Sequence, residues 1–254
     1  MKYFIYLLII LLPQSCKKKE SVDISVSEQD VELTNNNCEV YLWNESINYD
    51  TIKDVEGNKY RTVKIGTQCW MAENLRVTKY SNGDDILQIE SDSSWSNLNI
   101  ESDAYSKSEE GSIEGLDLCY GNYYNFQVVI DDRNVCPENW RVPSDDDWLI
   151  LEDFILNSDS KTNVGEALKA VEGWEVFEQF SGGGNDVFGF RALPSGQRTK
   201  EGVIASYETS CSWWTSSENQ SNDAWSRGLF NDSKGITRHT NHKNNGFSIR
   251  CIKD

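Results

Sequence analysis

The sequence predicts an α+β domain with two short helices, small antiparallel sheets and long polar loops. Three observations lead there. Segments near 144–155 and 163–171 carry apolar residues at helical spacing behind capping residues. Residues 60–66 alternate as a strand does, and short strand-like pieces between Gly, Asn and Ser turns fill the chain from Phe188 onward. Helices and strands do not alternate regularly, which argues against a doubly wound parallel sheet.

The first element is an export signal. Lys2 supplies a positive start, and Phe4 to Leu12 is an unbroken apolar run, too short to span a bilayer as a mature helix. The run closes on Leu12-Pro13-Gln14-Ser15-Cys16, which resembles a bacterial lipobox. Residues 1–15 are therefore expected to be a lipoprotein signal peptide, with Cys16 acylated as the new N-terminus. The alternatives are an ordinary cleaved signal and an apolar N-terminal helix that happens to end in Cys. Residues 16–50 read as a polar, Asn-rich tether. Lys17, Lys18 and Lys19 would lie beside the lipid, at the headgroups or as a hydrophilic spacer. Val40 to Trp43 is an apolar patch suited to pin the tether to the body.

The body is expected over residues 51–254. Tyr60 to Gly66 alternates as a half-buried strand, and Thr67-Gln68 turns the chain into Cys69-Trp70-Met71. Residues 90–115, dominated by Ser, Asp, Glu and Asn, read as a long surface insertion. Ser144 and Asp147 stand as a capping box, with Trp148, Leu151 and Ile155 on one face behind them. A second helix is expected near Asn163, with Glu166 in its first turn and Val164, Leu168 and Val171 facing the core. Strands are expected at 190–193, 213–215, 225–230 and 247–252.

Charge narrows the partners. The chain has 24 basic and 41 acidic side chains. Without Lys2 the count is 23 against 41, about −18, which repels phosphate backbones and argues against nucleic acid. No second apolar stretch approaches spanning length, so the lipid is the expected membrane attachment.

Seven cysteines less the lipidated one leave Cys38, Cys69, Cys119, Cys136, Cys211 and Cys251. An even number in an exported chain suggests up to three disulfides, with fifteen pairings open. No CxxC pair is present, so zinc has little support. The two histidines, His239 and His242, sit in a basic, Asn-rich string and read as solvated. No catalytic residue and no metal ligand is predicted, and the chain reads as a non-enzyme. Trp95, Tyr207 and Trp225 are the candidate exposed aromatics for stacking on a sugar ring.

Several segments stand in order: Asp54–Tyr60, Val63–Gly66, Trp70–Leu75, Tyr120–Phe126, Cys136–Ser144, Gly189–Arg198, Trp213–Glu218 and Gly246–Asp254. The set resembles the Fibrobacter succinogenes major paralogous domain, a family of exported bacterial proteins that are frequently lipoproteins. Cys69 and the stretch 90–115 depart from its pattern. The resemblance implies a C-type-lectin-like fold, shared with formylglycine-generating enzymes, whose termini meet in one sheet. By that analogy Cys251 would pair with Cys136 or Cys211. It also implies mainly structural work for Trp70, Trp140, Trp148, Trp213 and Trp214. The calcium-site turns of C-type lectins are missing, so no cofactor is expected, with calcium kept as the one ion to test. The spacing of Cys211 and Cys251 does not match a formylglycine-generating site. The expected function is a lipid-anchored, non-catalytic glycan- or protein-binding module of the cell envelope, at the outer membrane. The alternatives are a purely structural envelope protein and, last, an enzyme of the formylglycine-generating type.

Overall fold

Strand-forming residues early in the chain build an antiparallel sheet that the final residues complete. The computed structural model describes residues 43–108, 117–158, 163–179 and 182–253, so the predicted signal segment, Cys16 and Cys38 lie outside the described residues. β1 (Asp50–Lys53) and β2 (Lys59–Ile65) form a hairpin. Its turn is held by the Asp54 carboxylate, which accepts the N–H groups of Glu56 and Asn58 at 3.0 Å each and the Tyr60 hydroxyl at 2.7 Å. β3 (Gln68–Met71) follows. Then come α1 (Asp92–Ser96), β4 (Tyr105–Lys107), α2 (Asp117–Tyr120), β5 (Asn122–Tyr124), α3 (Phe126–Ile130), β6 (Trp140–Arg141), α4 (Asp145–Ser158) and α5 (Val164–Leu168). The remainder is all strand: β7 (Gln197–Arg198), β8 (Ile204–Ala205), β9 (Ser210–Gln220), β10 (Asp223–Phe230), β11 (Thr237–His242) and β12 (Ile252–Lys253).

The large sheet runs β1-β2-β3-β12-β6, and Ile252 of β12 pairs with both Trp70 and Arg141. β11-β10-β9 form a second antiparallel sheet, and β4-β5 and β7-β8 are two-stranded. The fold class is α+β. β2, β3 and β12 carry buried apolar residues on both faces of the large sheet, whereas β1 at its edge is largely exposed. Tyr60, Cys69, Met71, Ile249 and Cys251 face one apolar cluster, whereas Val63, Ile65, Trp70 and Ile252 face the other. Trp213 and Trp214, neighbours on β9, are split the same way between the two clusters.

α4 forms where its sequence dictates. The Asp147 carboxylate accepts the Ser144 N–H at 2.7 Å, and the Asp147 N–H donates back to the Ser144 hydroxyl at 3.2 Å. Trp148, Leu151 and Ile155 are its buried stripe. α5 is five residues long, with Val164 and Leu168 buried. Val171 lies beyond its end and is exposed, contrary to expectation, because the chain has left the helix at Lys169. The other helices, α1 to α3, are single turns placed by packing.

Residues 90–115 are not wholly a surface insertion. Trp95 of α1 is fully buried and donates its indole N–H to the Asn244 carbonyl at 2.9 Å. Ala104 and Tyr105 are also buried. Arg198, itself without exposure, donates to the carbonyls of Gly202, Ile89 and Glu90 at 2.9, 3.1 and 2.7 Å, stitching this stretch to β7. Residues 109–116 lie outside the described residues. Trp43, Ile47 and Tyr49 pack against the second cluster; of the apolar patch Val40 to Trp43, only Trp43 is among the described residues.

The shared motifs meet at Asn74. Its amide donates to the Tyr120 carbonyl at 2.9 Å and to the Ser248 hydroxyl at 3.2 Å. Its oxygen accepts from the Trp213 indole at 2.9 Å and from the buried Arg250 guanidinium at 2.9 and 3.2 Å. Three separate segments are thereby held by one carboxamide. Gly121, at φ +75, lets the chain pass this junction: a Cβ there would stand 2.6 Å from the Leu75 carbonyl oxygen.

Candidate ligand-binding site

The second sheet carries a depression on one face. Gly228 of β10 lies opposite Ser212 of β9 and Thr237 of β11, and Ser226 lies opposite His239. Cross-strand partners point to the same side of a sheet. Around Gly228 they are Ser and Thr, so the floor there is low, while Phe230 lines the trough beside it. Gln197 of β7 and Ser206 just after β8 raise one wall, and His239 and Asn241 the other, around a cavity of about 290 Å³.

The lining is uncharged. None of the described residues around this trough is Asp, Glu, Lys or Arg, although charged residues make up 26% of the chain. The hydroxyls are oriented by their neighbours. Asn241 donates its amide to the Ser226 hydroxyl at 2.8 Å, which in turn donates to the His239 carbonyl at 3.3 Å. Thr237 donates to the Gly228 carbonyl at 3.1 Å, and Ser212 to the Gln197 side-chain oxygen at 3.4 Å. A hydroxyl engaged once as donor retains acceptor capacity. The array therefore suits a neutral ligand rich in hydroxyls.

The predicted aromatics lie elsewhere and apart. Trp95 is buried, as above, because α1 folds inward and Arg198 stacks over its ring at 4.8 Å. Tyr207 is half-buried and packs edge-on against Tyr120 at 5.4 Å. Trp225 is half-buried on β10 beneath the Arg238 guanidinium, 3.4 Å from its ring centre. Arg238 and the fully buried Arg227 also bind Asp145 at 2.8 and 2.6 Å. Burial pushes the Asp145 carboxyl up, but the hydrogen bonds from Arg238 and Arg227 outweigh it and hold the group below its ordinary value. The Asp145 carboxylate at the start of α4 is thus paired with two arginines. Among the described residues no group of three or more His, Cys, Asp or Glu side chains is placed to hold a metal.

Two of the candidate disulfide cysteines, Cys69 and Cys211, form no bridge. Cys136 and Cys251 are bonded to each other, and Cys119 is also disulfide-bonded, with its partner outside the described residues. Cys69 and Cys211 are free thiols. The reason is topological: Cys69 packs against the first cluster and Cys211 is enclosed in the second. Burial pushes both thiols up, Cys211 strongly.

The trough escaped sequence reading because Ser, Thr and Gly in strands form no motif. A faint signal exists in Ser210, Ser212 and the pair Ser226, Gly228, small residues at alternate positions of two neighbouring strands. Set against known families, the model of the Fibrobacter succinogenes major domain matches residues 63–253. Among curated proteins and among solved structures nothing matches.

Proposed function

The chain belongs to the Fibrobacter succinogenes major domain family, and on that footing we propose that it is a lipid-anchored, non-catalytic module of the bacterial cell envelope that binds a neutral glycan in the sheet trough. The observation that carries the ligand class is the uncharged, hydroxyl- and amide-lined groove on an otherwise strongly acidic protein. Such a surface offers a sugar paired donors and acceptors without favouring an ion. The anchor is Cys16, at the end of the lipobox-like segment, and the site of display is the outer membrane. No helix among the described residues is long and apolar enough to cross a membrane. A C-type-lectin-like reading of the fold is supported by the last strand lying within the sheet that begins with β1, and by the bridge from Cys251 to Cys136 just before α4.

A second reading, protein binding, is favoured by the exposed Leu149, Ile150, Phe154 and Leu156 on α4.

The test is a glycan array probed with the mature protein, with calcium and with chelator, followed by titration of the best hit. Binding is expected in both conditions. His239→Glu and Asn241→Ala should each weaken it about tenfold, the loss of one good hydrogen bond or the insertion of one charge. Array-wide silence, or a hit indifferent to both changes, would discard the trough as the site.

A further inference from the structure

Cys119 is disulfide-bonded, and the other cysteines narrow the choice of its partner. The compact unit that contains the body starts at Asn36. Its cysteines are Cys38, Cys69, Cys119, Cys136, Cys211 and Cys251. Cys136 and Cys251 are joined to each other, and Cys69 and Cys211 are free thiols. The two thiols lie in the first and second apolar clusters, whereas Cys119 belongs to a third. Within the unit only Cys38 is left for Cys119. The one cysteine before Asn36 is Cys16, which closes the lipobox-like segment and whose thiol acylation takes up.

Geometry allows the pairing. Cys119, on α2, is buried among Tyr120, Ala170 and Leu193, with Tyr207 packed against them. Ala170 also lines a cavity of about 390 Å³ together with Trp43 and Asn44. Trp43 is itself fixed, with the guanidiniums of Arg61 and Arg191 at 4.2 and 4.5 Å from its ring centre. Trp43 and Cys119 are thus two fixed points with Ala170 as a common neighbour. Cys38 stands five residues before Trp43, and five residues of extended chain reach about 17 Å. Bridged cysteines hold their Cα atoms about 6 Å apart, which adds to that reach. The chain before Trp43 is therefore long enough to pass the cavity and arrive at Cys119.

We propose that Cys119 is bonded to Cys38, and that this bridge fastens the N-terminal segment to the body. Forming it takes one proton and one electron from each thiol, and an exchanging protein disulfide accepts them and becomes a dithiol. The pairing depends on neither the lipid nor the glycan reading. Its consequence concerns release. A backbone cut between Cys38 and Trp43 leaves everything before the cut attached through the two sulfurs, whereas a cut before Cys38 does not. On the lipid-anchored reading, the body leaves the membrane by cleavage before Cys38, or by cleavage after it only when the bridge is also reduced.

The test is tryptic mapping of the mature protein, unfolded and alkylated with iodoacetamide before any reduction. Residues 20–53 should appear joined to residues 108–133, and residues 134–141 to residues 251–253. Peptides 65–76 and 201–227, which hold Cys69 and Cys211, should each carry one alkyl group. A specific protease site inserted after Glu39 gives a second readout. After cleavage the N-terminal fragment should stay with the body on a non-reducing gel and separate when reductant is added, whereas in Cys38→Ser it should separate at once. Alkylation of Cys38 or Cys119 before reduction, or separation of the fragment without reductant, would overturn the pairing while leaving the lipid reading intact. A link from Cys119 to Cys16 would overturn both together.

Discussion

Asn74 shows how much one side chain can hold. It is buried, it satisfies both ends of its carboxamide, and the groups it satisfies include the indole of Trp213 and the guanidinium of Arg250. Asn74→Leu leaves a buried charge and a buried N–H without their acceptor. A loss of roughly 3–5 kcal/mol is expected in urea unfolding followed by tryptophan fluorescence. Asp186 acts in the opposite sense. Its folded carboxyl stands near 7 while the unfolded one titrates near 4, so between those values the folded chain holds a proton that the unfolded chain has released. Stability from this group is present at about pH 4 and is lost as the pH rises to about 7. Asp186→Asn removes that dependence while keeping an acceptor for the Arg191 N–H. The variant should match the parent near pH 4 and exceed it at pH 8, by roughly 2–4 kcal/mol in paired denaturant melts. The roles of these two residues were not legible in sequence. Asn74 was visible only as one letter of the segment Trp70–Leu75, and nothing in the sequence set Asp186 apart. Burial, which determines both roles, is a property of the assembled chain.

At the scale of the element, α4 was the most legible piece. Its capping box and its Trp148, Leu151, Ile155 stripe are local facts of spacing, and the helix follows them. Ser144→Ala removes the hydroxyl that receives the Asp147 N–H and should lower stability by about 1 kcal/mol, read as a reduced urea midpoint with unchanged slope. β2 and the cores of β9 and β10 were legible for the same reason, since alternation is local. The short elements were not. α1 lies in a stretch of Ser, Asp and Asn whose composition signals a loop, and it is placed by one residue, Trp95, closing against Asn244 and Arg198 from the far end of the chain. Residues 190–193 and 247–249 carry strand-like composition but make only isolated bridges, such as Ala192 to Lys169 and Phe247 to Tyr124. Their hydrogen bonds go to several different segments instead of one continuous ladder. The trough depends on which small residues fall opposite each other across three strands, and register between strands is not written in any one of them.

For the molecule as a whole, the final residues tie the two ends of the fold together. The bridge from Cys136 to Cys251 closes a loop of 115 residues in sequence, and β12 sits between β3 and β6. By chain entropy a closure of that length restrains the unfolded state by roughly 4–5 kcal/mol, an upper figure given residual structure. The double variant Cys136→Ala, Cys251→Ala should therefore lose about 3–5 kcal/mol in equilibrium unfolding, and reductant, which also opens the Cys119 bridge, should shift the parent chain by more than it shifts the variant. Because β12 is an interior strand of the sheet and stands far along the chain from both of its neighbours, β3 and β6 have no partner on that side until the segment around Ile252 docks. Closure of the sheet is thus a long-range event that joins three distant stretches of the chain at once.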